Sequence, residues 1–372
     1  MKTDQKWIWQ QRKWPAFYYD IELLLSDMLA VSHLIGGLEV MCQSLTEKDV
    51  LEISETILSD DAVKTSAIEG EILKRSSVRS SIRKKLGLSY ETNDYDMKTD
   101  NLVSMLLDAR TNSYDHLTEE ILFGWHAALF PTGYSGLHRI RVGKYRGEEM
   151  MRIVSGPIGK EKVHYIAPPR KNLQNEMKLF LDWLNNDNNT NPIFKAGIAH
   201  LWLVMIHPFD DGNGRICRAV SDYVLSKKFP SLVHMISLSR EISKDQKGYY
   251  SILEQMGQNT VDITDWLKWF IKTFLNALKE SQWIIDQVFK KSLFWSKYKE
   301  ISLNARQLKV LNRLLDDGDK FVGGLTTRKY AGICKCSKVT ASRDLSDMER
   351  INIIYKRPSS GRSTSYEIRL PT

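Results

Sequence analysis

Cysteine is scarce, four in 372 residues, which argues against a fold stapled by disulfides. Cys334 and Cys336 stand too close for an easy structural bridge. No second Cys or His pair completes a zinc site around them, so a reduced, cytoplasmic protein is the expectation. The first twenty residues contain no unbroken apolar core or small-residue cleavage site, so no secretory signal is read there. Long apolar runs are missing too: Ile198 to Ile206 contains His200 and is too short to cross a bilayer, and no membrane contact is expected. Also absent are the Gly-x-x-x-x-Gly-Lys-Ser/Thr phosphate loop and the protein kinase signature set, two common ways of handling a nucleotide. No segment repeats at a fixed period. With 42% apolar and 26% charged residues, the composition leaves no case for a disordered or fibrous chain.

What is present is mostly helical patterning, over a length that exceeds one usual core and predicts two or three domains. Apolar positions recur at three- and four-residue spacing from Ile21 to Met41 and from Val50 to Ile57. The aromatic opening of Trp7, Trp9, Trp14, Phe17 and Tyr18 is expected to pack onto the body of the protein. The basic run Lys74 to Lys85 is expected to be a solvated helix face. Between Met151 and Pro169, β-branched arms flank a Gly-Pro turn and predict a β-hairpin, after which helices are expected over roughly Asn172 to Leu184 and Ile193 to Ile206.

Fourteen Lys or Arg face seven Asp or Glu between Ile301 and Thr372, so nearly all of the net charge of +8 belongs to the C-terminal segment. Such a surplus suggests an anionic partner, DNA or an acidic protein. Helix, short turn, helix and two strands in that segment resemble a winged helix-turn-helix, with Ser337 to Arg350 as recognition helix. Lys338, Ser342 and Arg343 would then reach phosphates or base edges, and Lys356, Arg357 and Arg362 would lie on the wing.

The densest chemistry lies in His207 to Arg218, HPFDDGNGRICR, where an apolar helix gives way to another helix. Gly212, Asn213 and Gly214 open onto a helix N-terminus, where successive backbone N–H groups suit phosphate oxygens. Arg215 and Arg218 fall in that same first turn. Cations there oppose the helix dipole unless an anion visits, although a salt bridge would also account for Arg218. Asp211 is placed to hold Mg²⁺ against those phosphates, Asp210 reads as a capping or solvated acid, and Phe209 as the anchor of the turn. His207 suits a general base. Together these residues describe an enzyme that binds a Mg²⁺-nucleotide.

The pattern resembles that of the Fic family: His, any, Phe, any, Asp or Glu, Gly-Asn-Gly-Arg, two variable residues, Arg, with every fixed position met. The resemblance implies a mainly α fold, with a helical Fic core carrying a β-hairpin flap and, beyond it, the small winged helix-turn-helix module. It divides the chain into 1–110 carrying an inhibitory motif, a catalytic domain over 111–290, and 300–372. It further implies transfer of AMP from ATP to a Ser, Thr or Tyr hydroxyl of a target protein. In that reading His207 takes the hydroxyl proton and Asp211 holds Mg²⁺. Gly212 to Gly214 cradle the α- and β-phosphates, Arg215 stabilises the departing pyrophosphate, and Arg218 holds the γ-phosphate. Relatives with a bulkier residue at the second glycine are associated with phosphate transfer, which Gly214 argues against. Tyr250 corresponds to an aromatic position lining the adenine pocket. The flap, Gly156 to Ile166, corresponds to the hairpin that pairs with the target as an added strand. Thr65 to Gly70, TSAIEG, matches the family's inhibitory pattern, so Glu69 would pair with Arg218 and bar the γ-phosphate, and Thr65 and Gly70 belong to the same device. The same glutamate serves removal of AMP in some relatives, a reading that stays open beside a DNA-binding regulator with a nucleotide-sensing Fic domain. A homodimer stays open as well.

Overall fold

The computed structural model describes residues 7–88, 96–111, 115–157, 160–258, 260–358 and 364–370, and is mainly helical. The chain divides into two compact units, residues 1–281 and 282–372.

The first unit opens with α1 (Leu25–Gln43), α2 (Glu47–Ile68), α3 (Arg75–Lys85), α4 (Met97–Thr111) and α5 (Glu119–Leu129). Two short antiparallel pairs follow, β1 (Tyr134–Ser135) with β2 (His138–Arg139), and β3 (Arg152–Ser155) with β4 (Lys162–Ile166). Then come α6 (Arg170–Asn186), α7 (Pro192–Ile206), α8 (Asn213–Lys228), α9 (Pro230–Val233), α10 (Leu238–Lys244), α11 (Gln246–Met256) and α12 (Thr264–Lys297), the last of which runs on into the second unit.

The centre of this unit is the antiparallel pair α7 and α8. α7 is apolar all round, and apart from Lys195 every residue from Ile193 to Ile206 is buried, the signature of a helix surrounded by others. The aromatic opening packs onto it as expected. Trp14 and Phe17 meet Trp202 edge-on at 6.3 and 5.6 Å, and Trp14 Nε1 donates to Glu176 (2.9 Å).

One expectation holds with an addition, and one needs correction. The basic run is helical, as α3, with the solvated face expected: the Arg75 and Arg79 side chains are 66% and 65% exposed, yet Arg75 also binds Asp60 (2.8 Å), Arg79 and Arg83 bind Glu55, and Val78 and Ile82 are buried on the opposite face. These cations neutralise acids of α2 and fix α3 against it. The apolar stretches are also not all too short for a bilayer. Glu22–Gln43 is long and apolar enough by length and composition, because scattered polar residues such as Asp27, His33 and Glu39 interrupt the run without lowering its mean hydropathy below 1.5. In this structure Met28, Val31, Ile35 and Leu38 of that helix are buried at heptad-like spacing, the stripe of a helix packed on one side.

The second unit contains the end of α12, α13 (Ala305–Asp317), α14 (Thr327–Cys334), α15 (Lys338–Arg350) and the antiparallel pair β5 (Ile354–Lys356) and β6 (Tyr366–Ile368). Leu325, between α13 and α14, exchanges backbone hydrogen bonds with Tyr366 (2.9 and 2.8 Å), adding a third short rung. Its own core includes Val310, Leu311, Tyr330, Leu345, Met348 and Ile354. Buried Asp344 is the polar hub, accepting from Arg306 Nε (2.8 Å), Tyr330 Oη (3.0 Å) and Asn304 Nδ2 (3.2 Å). This single carboxylate joins α13, α14 and α15.

Candidate functional site

His207 caps the C-terminal end of α7 in the left-handed conformation, with φ of 52°. That conformation is uncommon outside glycine and persists where neighbours over-determine it. The neighbour here is Arg146, a buried residue that the sequence reading did not single out. Its Nε donates to the His207 carbonyl (2.8 Å), its Nη2 to Pro168 (2.5 Å), and its backbone N–H to Pro208 (2.9 Å). His207 Nδ1 lies 3.2 Å from the Val204 carbonyl, which can only accept, so Nδ1 carries the hydrogen and Nε2 keeps its lone pair. Burial pulls this imidazole down to about 4, so near neutral pH it is an unprotonated base.

The loop between α7 and α8 is held from below. Phe209 is fully buried and stacks on His126 at 4.4 Å. His126 Nδ1 accepts from Gly143 N–H (3.1 Å), which leaves Nε2–H to donate to the Asp211 carbonyl (3.2 Å). Asn213 spends both ends of its amide on Phe209, accepting from its N–H (3.0 Å) and donating to its carbonyl (2.9 Å). The side-chain amide of Asn213 is thus committed to holding the turn. Gly212 has φ of 79°, and a Cβ there would meet Phe130 at 2.8 Å, so both backbone and space demand glycine. α8 begins with no side-chain cap, leaving its first N–H groups facing the site. The Asp211 carboxylate accepts from Ser135 Oγ and from the Gly212 N–H (2.5 Å). Among the described residues no cluster of three or more His, Cys, Asp or Glu that could hold a metal ion is present.

Both arginines of α8 are buried, and both are occupied by acids from the end of α2. Arg218 donates from Nε to Thr65 Oγ1 (2.8 Å) and from Nη2 to the Thr65 carbonyl (3.1 Å) and Glu69 Oε1 (2.7 Å). Burial opposes its charge, but the Glu69 carboxylate holds the guanidinium above its usual range. Arg215 donates to Glu71 Oε2 (2.9 Å) and lies over the Phe130 ring, and Glu71 also binds Lys98 (3.0 Å). Glu71 stands one residue beyond the six-residue motif and gave no sequence signal. Each arginine keeps one buried N–H group without a partner, Nε of Arg215 and Nη1 of Arg218. Buried donors of this kind usually find an acceptor.

The local geometry of TSAIEG explains its spacing. Gly70, with φ of 78°, and Glu71 return hydrogen bonds to Ala67 (3.0 Å) and Ser66 (2.9 Å), the Schellman closure of a helix. That turn sets Glu69 as the C-cap of α2 and Glu71 two residues beyond it. A Cβ on Gly214 would come within 2.2 Å of Glu69 Oε1, so the carboxylate lies directly against the N-terminus of α8. Buried Arg110 fixes α2 to the rest: it binds Asp61 of α2 (2.9 Å) and Asp222 of α8 (2.8 Å).

Tyr250 joins the same corner. Its hydroxyl and the Gln246 amide both donate to the Ile68 carbonyl (3.1 and 2.7 Å), while the Tyr250 side chain remains half exposed. The hairpin β3–β4 is anchored by buried Tyr165, whose hydroxyl donates to Met205 (2.8 Å), two residues before His207. Ile158 and Gly159, at its tip, lie outside the described residues, as does Arg362 of the expected wing. Beside β3 runs a cleft of about 530 Å³ lined by Arg139, Arg141, Arg152, Val154 and Asp210.

Residues 116–225 match the family described as Fic/DOC family, and residues 7–88 match a domain of unknown function, DUF4172. The chain is similar to Protein adenylyltransferase Fic of Nematostella vectensis, 25% identical over 203 residues, covering 53% of this chain and 43% of that protein. It is also similar to Protein adenylyltransferase fic-1 of Caenorhabditis elegans, 31% identical over 100 residues, covering 26% of this chain and 19% of that protein. It thus spans less than half the length of these curated relatives. Among solved structures, a Fic family protein from Desulfovibrio desulfuricans G20 is similar with a TM-score of 0.57 at 20% identity, covering 95% of this chain and 97% of that one. A Fic domain containing signaling protein from Bacteroides thetaiotaomicron has a TM-score of 0.51 at 20% identity, covering 69% of this chain and 97% of that one. At such identity these neighbours establish the fold alone.

Proposed function

The chain carries a domain of the Fic/DOC family, and from that premise we propose that it is an autoinhibited protein adenylyltransferase, transferring AMP from Mg-ATP to a hydroxyl of a target protein. The carrying observation is the pair of buried arginines at the α8 N-terminus, held by the protein's own carboxylates and each retaining an unpartnered buried N–H. A site built for several negative charges and filled by Glu69 and Glu71 is an anion site in its closed state.

In the proposed reaction His207 Nε2 takes the proton as the target oxygen attacks the α-phosphorus. The new O–P bond forms as the bond to the pyrophosphate oxygen breaks. Arg215 and the backbone N–H groups of Asn213 and Gly214 stabilise the charge, and Arg218, once free of Glu69, fixes the γ-phosphate so that the α-phosphate is aligned. Asp211 would hold Mg²⁺, which neutralises phosphate charge when bound. Tyr250 would border the adenine, and the target segment would lie along β3 in the adjoining cleft.

The test is transfer of label from ATP carrying it on the α- or the γ-phosphate. α-Label on protein, stronger in Glu69→Gly and absent in His207→Ala, is the expected result; label arriving only from the γ-position would overturn adenylyl transfer in favour of phosphorylation. A second reading keeps the same residues, because the partly exposed Glu69 carboxylate lies against the α8 N-terminus, where it can also serve hydrolytic removal of AMP. Release of AMP from a modified target by the wild type, lost in Glu69→Gly, would favour it.

A further inference from the structure

The basic surplus of the second unit is sorted by the fold in a way the sequence does not show. α15 contains three acids, of which only Asp347, 43% exposed and paired with Arg350, reaches the outer face beside Arg343. Asp344 is buried and bound by Arg306, Tyr330 and Asn304; Asp347 pairs with Arg350 (3.0 Å) and Glu349 with Lys356 (3.1 Å). What α15 exposes is Lys338, Val339, Ser342, Arg343, Ser346 and Arg350, the last paired with Asp347. Positions 339, 342, 343 and 346 share one helical face by their three- and four-residue spacing. Neither Lys338 nor Arg343 has an ion-pair partner among the described residues. Val339 is 81% exposed, an apolar side chain set among cationic and hydroxyl groups.

This face also stands on a rigid mount. α14 and α15 pack together through a short turn in which Lys335 is left-handed and Ser337 caps α15, accepting from Thr340 N–H (3.1 Å). Thirteen residues give α15 a length of about 20 Å. A helix of that size fits a B-DNA major groove, about 12 Å wide, where arginine pairs with guanine, hydroxyls contact base edges and an apolar group meets the thymine methyl. The described wing bases are less available, since Lys356 binds Glu349 and Arg357 binds Glu367 (3.0 Å). The helix, not the wing, is therefore the reader.

We propose that the outer face of α15 binds duplex DNA in the major groove, with Arg343 reading a base edge, Lys338 on a phosphate, and Val339, Ser342 and Ser346 completing the contact. An acidic protein would be drawn to the same charges, but an exposed row of short hydroxyls flanking one arginine suits base edges better than a carboxylate surface.

The full chain is titrated against fluorescent 24-base-pair duplexes of random sequence across a salt series, and bound duplexes are selected and sequenced. Salt-sensitive binding and an enriched motif are expected. Arg343→Ala should weaken binding to that motif roughly 5- to 150-fold, and Lys338→Ala should weaken all duplexes alike and lower the salt slope by about one. Lys279→Ala, which removes a charge from the first unit, and His207→Ala should bind as wild type, so that this proposal and the adenylyltransferase reading fail separately. Circular dichroism confirms that the variants fold. Binding that does not respond to salt, no enrichment, or Arg343→Ala and Lys338→Ala variants indistinguishable from wild type would overturn the proposal, as would capture of a protein partner by this face without duplex binding.

Discussion

Arg218 and Glu69 each sit near the wrong end of a helix: a cation in the second turn of α8, close to its N-terminus, and an anion at the C-cap of α2. Each offsets the other's misplacement through the 2.7 Å pair. Thr65 matters as much, because its hydroxyl is the acceptor for Arg218 Nε. Thr65→Val keeps the shape and removes the acceptor, leaving a buried donor unpaired at a cost of roughly 1–3 kcal/mol. The expected outcome is higher basal transfer of AMP than wild type but lower than Glu69→Gly, measured by α-label incorporation. Glu71→Gln should act through the other arginine. Arg215 would exchange a carboxylate for an amide, ATP should bind more tightly in calorimetry, and Glu69→Gly combined with Glu71→Gln should exceed either change alone. Equal ATP affinity in wild type and Glu71→Gln would show that Glu71 is only a partner for Lys98.

At the scale of elements, the proposed closed state rests on how α2 ends. The Schellman turn at Gly70 places Glu69 and Glu71, on either side of that glycine, against Arg218 and Arg215. Gly70→Ala meets no neighbouring atom within 4 Å, so its effect is the left-handed backbone alone, about 1 kcal/mol. A modest fall in Tm together with raised basal transfer is expected; an unchanged basal rate would mean that α3 and Arg110 hold the end of α2 without the turn. In the second unit, Asp344→Ala strips the hub from three helices and should cost roughly 3 kcal/mol, read as lost hydrogen-exchange protection in α13, α14 and α15 with the first unit unaffected. The helical periods of α7 and α8 and the β-hairpin were legible in sequence because patterning carries them. The role of α3 was not, since an arginine paired with a carboxylate of another helix has the same local pattern as one facing water.

Over the whole molecule, four histidines are held neutral. Burial lowers His200 to about 3, and His126, His207 and His234 to about 4, from an unfolded value near 6.5. Between those values the unfolded chain binds protons that the folded chain does not, so stability rises with pH across the window and is lost as pH falls from about 6.5 towards 4. Each histidine contributes roughly 1.4 kcal/mol per pH unit there. Urea midpoints should be level above pH 7 and fall steeply below 6.5, and His200→Gln should flatten the slope. A midpoint constant down to pH 5 would mean that these side chains reach water.

Residue type along the chain was enough to mark the candidate chemistry. The loop from His207 to Arg218 and the segment from Thr65 to Gly70 are short and local, so the proposed base, glycine loop and inhibitory acid were all legible as residue types. Tertiary structure alone decided who partners whom. Arg146 beneath His207, Glu71 on Arg215, the inward turn of the Asn213 amide and the burial of Asp344 all depend on contacts between residues distant in sequence. Charge and hydrogen bonding act through space over a few ångströms, and a periodic pattern states which face of a helix is buried but not which helix covers it.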